Sequence, residues 1–204
     1  MKKLALFISV ICHPIIIPII AVISYFYLFP DFFQKSIVYA KVLATSILTI
    51  FIPIVFLFIM KSMRLISSFR LPSYNERKLP LLFFLVLDLL IINYIFDIYN
   101  YKHLFYFFWA LLFSGIICFL GLLFKFKVSL HTLGLSSLSF FMIYLSYNFE
   151  LSLSLYISVL ILSLGIVSSM RLYLKAHTLV EVVVGILLGL ATQLLIPLLF
   201  IYKM

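Results

Sequence analysis

Residues 179–201 read LVEVVVGILLGLATQLLIPLLFI, a run in which Glu181 is the only ionisable group. A hydrocarbon core about 30 Å thick is crossed by roughly 20 apolar residues in a helix, so this run predicts a membrane-spanning helix. Gly185 and Gly189, four residues apart, would let it approach a neighbour closely, and ordinary helix packing is sufficient reason for the pair. Working outward toward the N-terminus, comparable apolar runs occupy 152–169, 132–148, 104–124, 81–98, 38–60 and 4–28. The runs at 132–148 and 152–169 are short, so six spans are as admissible as seven. In lipid the backbone must satisfy its own hydrogen bonds, and long apolar runs rather than short alternating segments select helices over a barrel. The expected fold class is all-α: a polytopic transmembrane helical bundle of six to seven spans, forming a single domain over 1–204. Pro14, Pro18 and Pro53 should bend or break their helices locally.

Composition agrees with the runs. Hydrophobic residues make up 66% of the 204-residue chain and charged residues 10%, which excludes a soluble globular surface. Cys12 and Cys118 lie within apolar runs without metal-type spacing, so neither a disulfide framework nor a zinc site is expected. Lys2 and Lys3 before a long apolar run resemble a signal peptide, but the run lacks a small-residue cleavage site and is read as a retained first helix. The net charge of +9 does not point to nucleic acid, because the basic residues sit in short loops between spans. Anionic headgroups or a phosphorylated substrate at the membrane surface are the expected partners.

If the spans alternate, one face collects the N-terminus and the loops at 61–80, 125–131 and 170–178. That face holds Lys2, Lys3, Lys61, Arg64, Arg70, Arg77, Lys78, Lys125, Lys127, Arg171 and Lys175, against Lys35, Lys41, Lys102 and Lys203 on the other. The positive-inside rule would make the crowded face cytoplasmic.

Three segments on that face share a chemical theme. The third, RLYLKAHTLVE from Arg171, places His177 and Glu181 four residues apart, on one face if the last helix has begun there. A carboxylate holding one ring N–H presents the other imidazole nitrogen as acceptor or nucleophile. Arg171 would sit at the preceding helix end, where its planar fork suits phosphate oxygens. The bland alternative is a juxtamembrane loop whose basic residues anchor the helix. The second segment, KVSLHT from Lys127, puts Ser129 and His131 at a helix start, where free amides and the dipole favour an anion. A second histidine there could protonate a leaving alkoxide. The first segment, RLPSYNERKLP from Arg70, carries Arg70 and Arg77, with Pro80 marking the next span; Pro72 and Asn75 would let a loop fold back so that both guanidinium groups face one anion. Lys61, Arg64, Lys125 and Lys175 receive no functional role.

Together these segments resemble the type 2 phosphatidic acid phosphatase superfamily, which includes undecaprenyl pyrophosphate phosphatases and vanadium haloperoxidases. Arg70 and Arg77 fit the spacing of its first motif, with Lys78 in place of the proline. Ser129 and His131 remain of its Pro-Ser-Gly-His motif, here Val128, Ser129, Leu130 and His131. Arg171 and His177 match its third, with Met170 replacing the serine and Glu181 the aspartate. The resemblance implies that His177 attacks phosphorus to form a phosphohistidine, Glu181 orients its ring, and His131 protonates the departing oxygen and later activates water. It implies that Arg70, Arg77, Arg171, Ser129 and the amides near Leu130 hold the phosphoryl oxygens. It requires no metal or other cofactor. The expected activity is hydrolysis of a phosphate monoester or diphosphate on a lipid in the cell membrane. The alternatives are a phospholipid-binding or transport protein that grips phosphate without cleaving it, and a scaffold without a site. Asp88, inside a span, is expected to pair with a basic side chain on an adjacent helix, and His13 and His103 are read as interfacial.

Overall fold

The computed structural model describes residues 2–201, which are mostly helical with no strand among them. The α-helices are α1 (Lys2–Ile11), α2 (Ile17–Leu28), α3 (Lys35–Ser46), α4 (Ile52–Ser62), α5 (Tyr74–Tyr94), α6 (Lys102–Leu123), α7 (Leu130–Asn148), α8 (Ser154–Tyr173) and α9 (Leu179–Ile201). Five stretches are long and apolar enough to cross a membrane: Leu6–Leu28, Lys35–Ser62, Lys102–Leu123, Ser154–Tyr173 and Leu179–Phe200. Outside that set, α5 carries Arg77, Lys78 and Asp88, and α7 is rich in serine. The chain divides into two compact units, the first Met1–Ile17 with Lys127–Met204 and the second Pro18–Phe126.

The prolines act as their chemistry requires. Pro14 ends α1: the helix stops at Ile11, His13 is extended, and a short 3-10 turn, Pro14–Ile16, follows. The His13 ring caps that turn, its Nδ1 accepting the Ile15 N–H at 3.3 Å. Between α3 and α4, Pro53 cannot donate to the preceding turn, and the backbone widens into a π segment, Ile47–Phe51, so that the run to Ser62 continues. Pro18 falls in the first turn of α2, where a missing N–H is tolerated.

Several helices end with the same device. At the end of α8 the Ala176 N–H reaches the Arg171 carbonyl at 3.1 Å and the Lys175 N–H reaches Leu172 at 2.9 Å, with Lys175 at φ 50. This left-handed closure satisfies carbonyls that the helix leaves over. Lys125 after α6 (φ 62) and Arg64 after α4 (φ 60) close their helices in the same way. Three of the basic residues left without a role in the sequence thus sit where cations complement the helix dipole.

In the second unit, α5 starts at Tyr74 rather than at Pro80. Ser73 caps it, its Oγ accepting the Glu76 N–H at 3.2 Å, and Pro80 lies inside the helix. Asn75 and Arg77 are therefore helical, and the expected fold-back loop does not extend to them. Phe96, Phe107 and Phe108 are fully buried, with Phe96 stacked on Phe108 at 5.5 Å. The Lys41 ammonium donates to the Ile95 carbonyl at the end of α5 and lies 4.7 Å from the centre of the Tyr101 ring. Among the described residues Asp88 makes no ion pair, contrary to the expectation from the sequence.

In the first unit, α7 is the central element. α9 crosses it where a Cβ on Gly185 would stand 2.5 Å from Thr132 Oγ1 and 2.8 Å from the Ser129 carbonyl oxygen, and one on Gly189 would stand 2.6 Å from the Leu133 carbonyl oxygen. The approach lets side chains bond across: Ser136 Oγ donates to the Ile186 carbonyl at 2.7 Å and Thr132 Oγ1 lies 3.2 Å from that of Val182. The glycine spacing thus sets how the start of α9 meets the start of α7.

Candidate functional site

His177 lies outside the helix that follows it. α9 begins at Leu179, and Thr178 and Glu181 form a reciprocal cap: the Glu181 N–H donates to Thr178 Oγ1 at 3.3 Å, and the Thr178 N–H donates to Glu181 Oε2 at 3.1 Å. The same Oε2 accepts from His177 Nδ1 at 2.9 Å. The dyad forms because the capping carboxylate reaches back past Thr178, and not because both residues share a helical face as expected. This also accounts for glutamate at position 181, since the longer side chain is the one that closes such a box. The His177 side chain is 1% exposed and that of Glu181 11%, so the pair is shielded from water. A carboxylate only accepts, so Nδ1 of His177 is the donor in this bond.

The start of α7 is tied to this turn by backbone, the Ser129 N–H donating to the Glu181 carbonyl at 3.1 Å. Ser129 precedes the first helical residue but does not cap it, and its hydroxyl is fully buried with no hydrogen-bond partner. Buried hydroxyls are normally satisfied. Here one stands beside the first amides of α7, those of Leu130 and His131, at the positive end of the helix.

His131 Nε2 lies 3.0 Å from the Ser9 carbonyl oxygen, so this nitrogen is the donor. The His131 ring meets that of His13 edge-on, with centres 5.3 Å apart and planes at 77°. His131 stands ahead of the apolar stretch of α7. Burial, then the Arg171 guanidinium, then His13 hold its imidazolium well below the usual histidine range, and His177 adds to the effect. Arg171, half-buried in the last turn of α8, is thus within electrostatic reach of His131. Ser129, Leu130, His131, Arg171, His177 and Glu181 all belong to the first unit.

Arg70 and Arg77 belong to the second unit. Arg70 is exposed, and Arg77, in the first turn of α5, donates from Nε to the Leu71 carbonyl at 2.8 Å. Sequence reasoning missed Thr178, although Thr-x-x-Glu before an apolar run is a legible helix start. It also passed over Ser9, for which no local signal exists, and set His13 aside as interfacial.

No protein-family model, curated protein or solved structure matches the chain.

Proposed function

We propose that this protein is a membrane phosphatase that hydrolyses a phosphate monoester or diphosphate on a lipid, in a bundle of six to seven spans in the cell membrane. The observation that carries the proposal is the buried His177–Glu181 pair at 2.9 Å, in the same unit as the unpartnered Ser129 hydroxyl, Arg171 and His131. His177 Nε2 attacks phosphorus, a P–N bond forms, and the P–O bond to the lipid breaks. Glu181 stabilises the positive charge that develops on the ring. Arg171, the Ser129 hydroxyl and the amides of Leu130 and His131 hold the phosphoryl oxygens. A bound phosphate favours the imidazolium form of His131, which passes a proton to the departing oxygen and regains one from the water that hydrolyses the phosphohistidine. The resemblance also implies phosphate-binding roles for Arg70 and Arg77; both belong to the other unit, and the chemistry proposed here does not use them.

A second reading, a protein that binds the phosphorylated headgroup without cleaving it, is favoured by one feature: the Nε2 proton of His131 is already given to the Ser9 carbonyl. The two readings part in one experiment. Purified protein in detergent, with chelator in excess, should release inorganic phosphate from a lipid phosphate monoester or a lipid diphosphate, and orthovanadate should inhibit. Binding of both lipids without phosphate release would replace the first reading by the second.

A further inference from the structure

The break in the first helix has a partner far along the chain. In an uninterrupted helix the Ser9 carbonyl would accept from the N–H of His13, four residues on. Pro14 has no N–H, and the His13 N–H instead reaches the Val10 carbonyl at 3.3 Å. The Cys12 N–H still closes on Ile8 at 2.9 Å, so Ser9 is the position at which the ladder loses its donor. A carbonyl stranded in an apolar surrounding is costly, and His131 Nε2 at 3.0 Å supplies the missing donor. The chain holds the break open from the other side as well, because the His13 ring caps the 3-10 turn through Nδ1.

We infer that the Pro14 break is a tautomer lock: by freeing the Ser9 carbonyl it fixes the proton of His131 on Nε2 and leaves Nδ1 as the nitrogen available for proton transfer. A backbone carbonyl only accepts, so His131 cannot turn its unprotonated nitrogen toward Ser9 without losing the bond. The ring of His13 meets that of His131 edge-on at 5.3 Å, but the lock rests on the Ser9 carbonyl. Ser9 is thus a positioning residue that acts through His131, and His13 contributes by capping the turn that holds the break open. If the phosphatase reading holds, Nδ1 is the atom that takes up and delivers the proton at the leaving oxygen; this last step rests on that reading, whereas the tautomer does not.

The test needs no substrate. The full-length protein, labelled with 15N-histidine in detergent micelles near neutral pH, has four histidines to assign, each by a single substitution. His131 should show protonated Nε2 and unprotonated Nδ1 without averaging. Pro14→Ala restores an N–H at residue 14, lets the His13 N–H return to Ser9, and should shift the His131 signals to an exchange average. His13→Asn keeps an oxygen that can cap the turn, and the locked signature should persist. An averaged or Nδ1-protonated His131 in the wild type, or a Pro14→Ala spectrum identical to wild type, overturns the inference. Loss of the lock in His13→Asn overturns the assignment to the Ser9 carbonyl. In turnover, Pro14→Ala should lower kcat and leave KM unchanged. If no phosphorylated lipid is hydrolysed at all, the phosphatase reading fails while the spectra still decide the lock.

Discussion

Glu181→Asp, which shortens the side chain by one methylene, should be more damaging to stability than Glu181→Gln, which removes the charge. In the wild type one oxygen, Oε2, accepts both the Thr178 N–H at 3.1 Å and His177 Nδ1 at 2.9 Å. Aspartate withdraws the carboxylate by about 1.5 Å, one carbon–carbon bond, which takes both contacts out of hydrogen-bond range. A lost helix cap costs about 1 kcal/mol, and a buried imidazole N–H without an acceptor raises the total to about 2–4 kcal/mol. Glutamine keeps its oxygen within reach of both donors and forfeits only the charge assistance, about 1 kcal/mol. At about 2–4 °C per kcal/mol for a chain of this size, thermal unfolding in detergent should separate the variants clearly, with Glu181→Asp the lower. The His177 Nδ1–H resonance should survive in Glu181→Gln and vanish in Glu181→Asp. If Glu181→Asp melts at or above Glu181→Gln, the capping box does not set the length of this side chain and the account of the dyad is wrong.

Gly185→Ala should destabilise the protein by about 1–3 kcal/mol, because the new methyl would meet Thr132 Oγ1 at 2.5 Å and the Ser129 carbonyl at 2.8 Å; a parental melting temperature would show that the α7–α9 crossing is looser than described. Lys175→Gly should stabilise by up to about 1 kcal/mol by relieving the left-handed backbone, since Lys175 stands at φ 50, and unchanged or reduced thermal stability would contradict it. Acidification should also destabilise the fold. His131 is held below its ordinary value in the native state, so below pH about 6.5 the unfolded chain binds a proton that the native one refuses, and stability falls by up to about 1.4 kcal/mol per pH unit. His131→Gln, which can still donate to Ser9, should show a shallower acid loss, and an unaltered slope would count against a neutral native His131.

The helices were legible because apolar runs of this length have one physical solution in lipid, and each of the seven runs contains or overlaps a helix. Their starts were less so. Pro80 suggested the beginning of α5, whereas Ser73 and Glu76 cap it seven residues earlier, and a proline is accommodated inside. His177 and Glu181 were legible as a pair but not as a geometry, because their spacing suits a helical face as well as it suits a capping box; Thr178 decides between them. The break at Pro14 was readable from one residue. Its consequence, a bond between Ser9 and a histidine 122 positions away, was not, since nothing local at either end encodes the other. The pairing of Asp88 failed for the same reason, as a charge within a run says nothing about which helix lies beside it.

The central claim is that His177 Nε2 becomes bonded to phosphorus. Protein mixed with a lipid phosphate carrying labelled phosphorus, quenched in base and digested, should yield an acid-labile phosphoramidate on His177 Nε2 that mass spectrometry locates. His177→Ala should carry no label and release no phosphate while still binding the lipid. Label on any other residue, or phosphate release that persists in His177→Ala, would contradict the account.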